Sequence, residues 1–316
     1  MGVMAMQAEA IRAALEAATW APSVHNSQPW TFAVAGEEIC VRADADRKLR
    51  VGDPEGREML IGCGAALFNV RTVLRGKGWA PVTRILPDPD RPNLLATVRL
   101  GEVVTPDETT RLLGGEIESR RTHRAGFTNL PVPDKLIEAL VRQAAAENGR
   151  LMPIGDEAAV RVLAALTQAA QAARPEDAEV RRWGRAPGSS RKDGVPADAY
   201  PSEAADTGFP QRDYAWGIEA DQSTATATGV VAVMTTRRDS KEEWIATGQA
   251  LQRVLLYACA FGVSAAFHTQ ALELPHLREF AREEVCSGEY PQMIMRLGFT
   301  FDSTHGVRRP LSEVLD

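Results

Sequence analysis

Redox-active and metal-binding side chains are scarce in this chain. Only four cysteines occur in 316 residues, Cys40, Cys63, Cys259 and Cys286, far apart and without a CxxC pair. Their mostly apolar surroundings read as buried, reduced thiols, so any redox chemistry has to come from a cofactor. The five histidines, His25, His123, His268, His276 and His305, form no HExxH and no close grouping with Cys or carboxylates, which argues against a metal site. No apolar run approaches the ~20 residues that span a bilayer. The first residues, MGVMAMQAEAIRAAL, lack a basic region followed by an apolar run and open directly as an amphipathic helix, so a cytoplasmic protein with no membrane role is expected. Positive charge is not in excess: 36 Lys and Arg against 42 Asp and Glu leave −6, which argues against a nucleic-acid stripe and makes any anion site local. No GxGxxG lies between a strand and a helix, so a dedicated dinucleotide domain is not supported.

The chain is about twice an ordinary domain in length, and three kinds of segment occur twice in the same order. AIRAALEAATW at 10–20 and KLIEALVRQAA at 135–145 are Ala-rich helices with matching apolar stripes. GCGAALFNVRTVLRGKGW at 62–79 and ATGQALQRVLLYACAFGV at 246–263 are apolar helices, with Gly64 and Gly78 spaced like Gly248 and Gly262. The first glycine of each pair would admit a close helix partner, and the second stands where a helix ends in left-handed geometry. LATVRLG at 95–101 and QMIMRLG at 292–298 are strands that end alike. This order predicts a diverged internal duplication, with halves at 1–110 and 111–316. The second half carries an extra Gly-, Pro- and Ser-rich stretch at about 182–216 that holds Trp183, Tyr200, Phe209, Tyr214 and Trp216, and a partly ordered lid is expected there. Strands such as WTFAV, EEICVRA and VVAVMT fall among helices without βαβ rhythm, so the fold class is α+β.

Three polar segments are candidates for chemistry. APSVHNSQPW at 21–30 brackets Ser23, His25, Asn26, Ser27 and Gln28 between prolines, which predicts an extended backbone offering donors and acceptors. It suits the edge of a planar heterocycle and equally reads as a surface turn satisfying itself. Ser119-Arg120-Arg121-Thr122-His123-Arg124 is a local cation cluster suited to phosphate, or a solvated turn pairing with Glu116 and Glu118. FHTQALELP at 267–275 offers Thr269 and Gln270 to a ligand edge, or is a connecting loop. Arg308-Arg309 before Pro310 is a further basic pair.

Taken together these residues resemble the FMN-dependent nitroreductase family. Its PSxxNxQPW signature appears as Pro22 to Trp30, and its phosphate-binding RxSxR run is similar to Arg120-Arg121-Thr122-His123-Arg124, with Thr in place of Ser. The two motifs stand in inverted order, and ENGRLMPIG replaces the polar segment in the second half. The resemblance, closest to a single-chain Acg-like branch, implies a fused pseudo-dimer that keeps one FMN site. It implies that Arg120, Thr122 and Arg124, with Arg308 or Arg309, hold the phosphate; that Ser23, Asn26 and Gln28 address the ribityl chain and pyrimidine edge; that a backbone N–H near Thr269 or Gln270 faces N5; and that His25 contacts ring or substrate, or packs beside Trp30. Two activities follow from it. One is an NAD(P)H-dependent oxidoreductase for small nitroaromatic or quinone-type acceptors, without a protein acid or base, acting as monomer or homodimer. The other is an FMN-sequestering protein whose lid blocks turnover.

Overall fold

The computed structural model describes residues 2–173, 178–186, 189–196, 208–210, 227–301 and 306–316. Helix α1 (Gly2–Ala18) buries its small apolar stripe, Ala10, Ile11, Ala14, Leu15 and Ala18. After it come β1 (Trp30–Ala35), β2 (Glu38–Ala43), α2 (Arg57–Gly76), β3 (Trp79–Ile85) and β4 (Leu94–Val103). Helix α3 (Glu108–Gly115) leads to α4 (Asp134–Ala145), β5 (Arg150–Pro153) and α5 (Glu157–Ala173). Next come α6 (Ala178–Trp183) and the two-residue strands β6 (Gly184–Arg185) and β7 (Val195–Pro196). The chain continues through β8 (Val230–Thr236), α7 (Lys241–Ala260), β9 (Val263–Phe267), α8 (Pro275–Glu284) and β10 (Tyr290–Phe299).

Two antiparallel sheets have the orders β1-β2-β4-β3 and β5-β8-β10-β9. In each, the four strands taken in chain order lie as first, second, fourth, third, and a long buried helix joins the second to the third. The fold is therefore α+β, built from two related halves. The two joining helices, α2 and α7, cross where Gly64 meets Gly248. A Cβ on Gly64 would lie 2.2 Å from the Ile245 carbonyl oxygen, and one on Gly248 would lie 2.0 Å from that of Ile61. The partner that each first glycine was expected to admit is thus the equivalent helix of the other half. Both second glycines are left-handed, Gly78 at φ +89 and Gly262 at φ +75.

One apolar cluster runs through both halves, from Leu15, Trp30 and Leu67 to Leu140, Leu251 and Met295. The second sheet is also covered on its other face by α5 and α8, with Leu163, Phe209, Val233 and Ile294. That is why β10, unlike an alternating half-buried strand, reads as a nearly continuous apolar run. Of the stretch at 182–216, residues 182–186, 189–196 and 208–210 are described, whereas Tyr200, Tyr214 and Trp216 lie outside the described residues. None of the described helices is long and apolar enough to cross a membrane.

Candidate functional site

The segment after α1 turns sharply. Ser23 is extended, but His25 (φ 54), Asn26 (φ 54) and Gln28 (φ 49) are all left-handed, and the Ser23 hydroxyl accepts from the Gln28 main-chain N–H at 2.9 Å. The extended backbone expected from the flanking prolines is therefore wrong. Proline restrains its own φ and its predecessor, which leaves the residues between free to curl. Three strained residues in a row of four need surroundings that over-determine them, and these are present. Asn26 Nδ2 donates to the carbonyls of Gly194 and Val307, and Arg308 Nη1 donates to Asn26 Oδ1. Gln28, fully buried, donates from Nε2 to the Lys192 carbonyl and accepts from the Arg309 main-chain N–H at Oε1.

The arginine run follows α3 and lies against β9. Thr122 bridges to Ala265, and the His123 N–H donates to the Ala265 carbonyl. Here Arg120, Arg121 and Arg124 meet Arg308 from the C-terminal segment, and Trp20 organises them. The Trp20 ring lies 4.6 Å from the Arg121 guanidinium and 5.4 Å from that of Arg308, and its carbonyl accepts from both Arg120 Nη2 and Arg308 Nη2 at 3.3 Å. Among the described residues no carboxylate pairs with Arg120, Arg121 or Arg308. Glu116 instead approaches the Cys259 thiol. Burial, then the charges of Arg121 and Arg124, pushes Arg120 down to about 10. Burial, then Arg120, Arg121 and Arg124, holds Arg308 well below its ordinary value. The buried Nε atoms of Arg120 and Arg308 have no partner. Gathering like charges in a desolvated place is costly unless an anion shares them. The donor set fits a phosphate.

These segments bound a two-chambered cleft. The larger chamber is walled by Pro22 to His25 and the start of α2 from the first half. From the second half it takes Thr122 to Arg124, Leu251, Phe267, Thr269 and Met293. The smaller shares Pro22, Ser23, Thr122 and Arg124 with it and adds Asn26, Arg121 and Arg308, flanked by Gly194 to Pro196. An apolar chamber opening onto a basic one suits a ligand with a flat ring at one end and a phosphate at the other.

Of the residues expected at the site, Ser23, His25, Asn26, Thr122, Arg124, Thr269 and Arg308 line the cleft. Four do not. Gln28 and Arg309 are locked to each other and to the chain around them. Gln270 donates away from the cleft to the Pro210 carbonyl, and Arg120 lies buried behind the others. Sequence reasoning did not single out Trp20, Glu58, Leu251, Phe267 or Met293 as site residues, although Phe267 opens the FHTQALELP segment and Trp20, Leu251 and Met293 fall within the repeated segments. Glu147, in the stretch that replaces the polar segment after α4, forms ion pairs with Arg71 of α2 and Arg253 of α7.

A profile of the nitroreductase family matches residues 4–50 and 117–299. A Mycobacterium tuberculosis protein provisionally named an NAD(P)H nitroreductase, Rv3131, is 32% identical, over 98% of this chain and 92% of its own length. Another from that organism, acg, with the same provisional name, is 28% identical over 97% of this chain and 95% of its own. The solved FMN-dependent nitroreductase NfnB of Mycobacterium smegmatis, in complex with NADPH, aligns with 65% of this chain and 96% of its own at 17% identity and a TM-score of 0.40. With the profile spanning most of its length and a relative matching it from end to end, this chain belongs to the nitroreductase family.

Proposed function

We propose that the chain holds one FMN in the cleft between its halves and passes electrons from NAD(P)H to a small acceptor of the nitroaromatic or quinone class. The observation that carries this reading is the arginine cluster around Trp20, with buried donors lacking a partner, in a chain of net charge −6. Membership of the family supports the identity of the cofactor. Bound there, FMN supplies the two-electron chemistry that no side chain of the cleft possesses. Thr122, Arg121, Arg124 and Arg308 hold its phosphate by charge-assisted hydrogen bonds, while Arg120 adds field from behind. Leu251, Phe267 and Met293 exclude water from the ring. Ser23, His25 and Asn26 meet the polar middle, and the backbone at Thr269 meets the ring edge. Gln28 and Arg309 keep the strained turn in place. We take the halves, 1–110 and 111–316, as products of a duplication in which one of two equivalent sites survived.

A second reading, sequestration of FMN, is favoured by one feature. Gly194 to Pro196 wall the basic chamber, and the carbonyls of Lys192 and Gly194 are pinned by Gln28 and Asn26. A segment held in this way would restrain a ligand phosphate in that chamber. The visible spectrum of the purified protein, followed under anaerobic addition of NADPH or NADH, separates the readings. A yellow protein that bleaches quickly supports the reductase, one that stays oxidised supports sequestration, and a colourless protein that FMN cannot reconstitute refutes both.

A further inference from the structure

The basic chamber is flanked by a strap, residues 189–196, and a charge pair that lines neither chamber fastens this strap to the first half. Arg47, in the loop between β2 and α2, uses one nitrogen for two contacts: Nη1 donates to the Ser27 carbonyl at 2.8 Å and to Asp193 Oδ2 at 2.9 Å. Ser27 belongs to the strained turn and Asp193 to the strap, so a single guanidinium joins them. The two side chains are 21% and 14% exposed, which leaves their attraction only partly screened by water. Burial acts to raise the Asp193 carboxyl, but the hydrogen bond from Arg47 and the charges of Arg191 and Arg47 outweigh it and hold the group below its ordinary value. The pair is therefore ionised at neutral pH. Helix α6 rests on the same loop: Glu179 accepts from three successive main-chain N–H groups, those of Arg50, Val51 and Gly52.

The residues next to these contacts line the basic chamber. Asn26 adjoins Ser27, Gly194 adjoins Asp193, and the two are bonded to each other twice. The Gly194 N–H donates to the Asn26 carbonyl at 3.2 Å, and Asn26 Nδ2 donates to the Gly194 carbonyl at 3.1 Å. Asn26 Oδ1 in turn accepts from Arg308 Nη1 at 3.2 Å. A charge-assisted clasp one residue away keeps these bonds in register, and with them the direction of the Arg308 guanidinium. We propose that Arg47 is a positioning residue of the basic chamber: paired with Asp193, it acts through Asn26, Gly194 and Arg308 on the phosphate end of the ligand without touching the ligand itself. The inference rests on the cleft being the FMN site proposed above, and it adds to the phosphate-binding set a residue from outside the cleft.

FMN and riboflavin, which differ by the phosphate alone, test it. Each is titrated into protein stripped of flavin and followed by the change in flavin fluorescence. Arg47→Gln is expected to weaken FMN binding by about tenfold and riboflavin binding by less than about threefold. Asp193→Asn is expected to do the same, and the double variant to be no weaker than the more affected single one, because the pair acts as a unit. Unchanged FMN affinity in Arg47→Gln overturns the proposal. So does equal weakening of both flavins, the mark of a general structural loss, and so do effects of the two substitutions that multiply. Should Arg47→Gln not fold, Asp193→Asn alone carries the same expectations. Where the native protein binds FMN alone or neither flavin, the Gly194 amide decides. Its N–H is expected to exchange with solvent deuterium about tenfold faster in Arg47→Gln than in the native protein, and an unchanged rate overturns the proposal. Binding of neither flavin refutes the cofactor reading separately.

Discussion

At the scale of single residues, the cleft shows stability given up for binding. Arg308 is half-buried among Arg120, Arg121 and Arg124, its protonation opposed first by burial and then by those charges. It also donates to the Asn26 side chain and the Trp20 carbonyl, so replacing it removes those hydrogen bonds together with a charge-assisted contact to a bound phosphate. Arg308→Leu is therefore expected to weaken FMN binding by about tenfold or more, the value of roughly 1.5–3 kcal/mol for a hydrogen bond to a charged group. A flavin titration checks this, and a variant with full affinity contradicts it. The cation cluster was legible because arginines close in sequence stay close in space. The side chains of Gln28, Gln270 and Arg309 are taken up by the surrounding chain rather than lining the cleft, because an amide or guanidinium announces a need for partners without saying which ones. Trp20 acts through Arg121 and Arg308, distant in sequence, so no local pattern marks it.

Among the elements, the crossing of α2 and α7 decides most. Both glycines lie against main-chain oxygen, which has no rotamer to yield. Gly64→Ala is expected to force the helices apart at a cost of about 1–3 kcal/mol or more, read as a lowered denaturation midpoint. Gly114→Ala in α3, where a Cβ meets nothing within 4 Å, is expected to be neutral or slightly stabilising. The junction of β8 with α7 depends on Asp239. Burial acts to raise its carboxyl, but hydrogen bonds from Arg278, Trp244 and Gln292 outweigh this and hold it at about 2. Its folded value lies below the ordinary 3.8, so its contribution is complete above 3.8 and lost as pH falls toward 2. Asp239→Asn is expected to flatten that part of the acid stability profile, and a profile unchanged between pH 4 and pH 2 would speak against the network. The repeated helices and the RLG strands were legible from periodicity and glycine spacing. The tight turn at His25 to Gln28 was not, because its conformation is imposed by Gly194, Val307 and Arg308 from far along the chain.

For the whole molecule, the shared apolar cluster makes the two halves one cooperative unit, and the cleft takes its walls from both. The halves do not carry the same polar groups. The polar turn occurs only after α1 and the cationic cluster only before α4, while after α4 Glu147 ties Arg71 to Arg253. Flavin content measured against protein concentration is accordingly expected to saturate at one FMN per chain, and two per chain would contradict the asymmetry. The amino-acid sequence alone determined the α+β class, the repeated order of elements, the close helix partner of each first glycine and the local cation cluster, because these follow from periodicity, backbone freedom and neighbouring charge. Only the tertiary structure decided that the partner of each helix is the equivalent helix of the other half, and which polar groups face the cleft. Those outcomes depend on contacts between residues far apart in the chain, where a side chain's chemistry states what it requires and the fold alone supplies it.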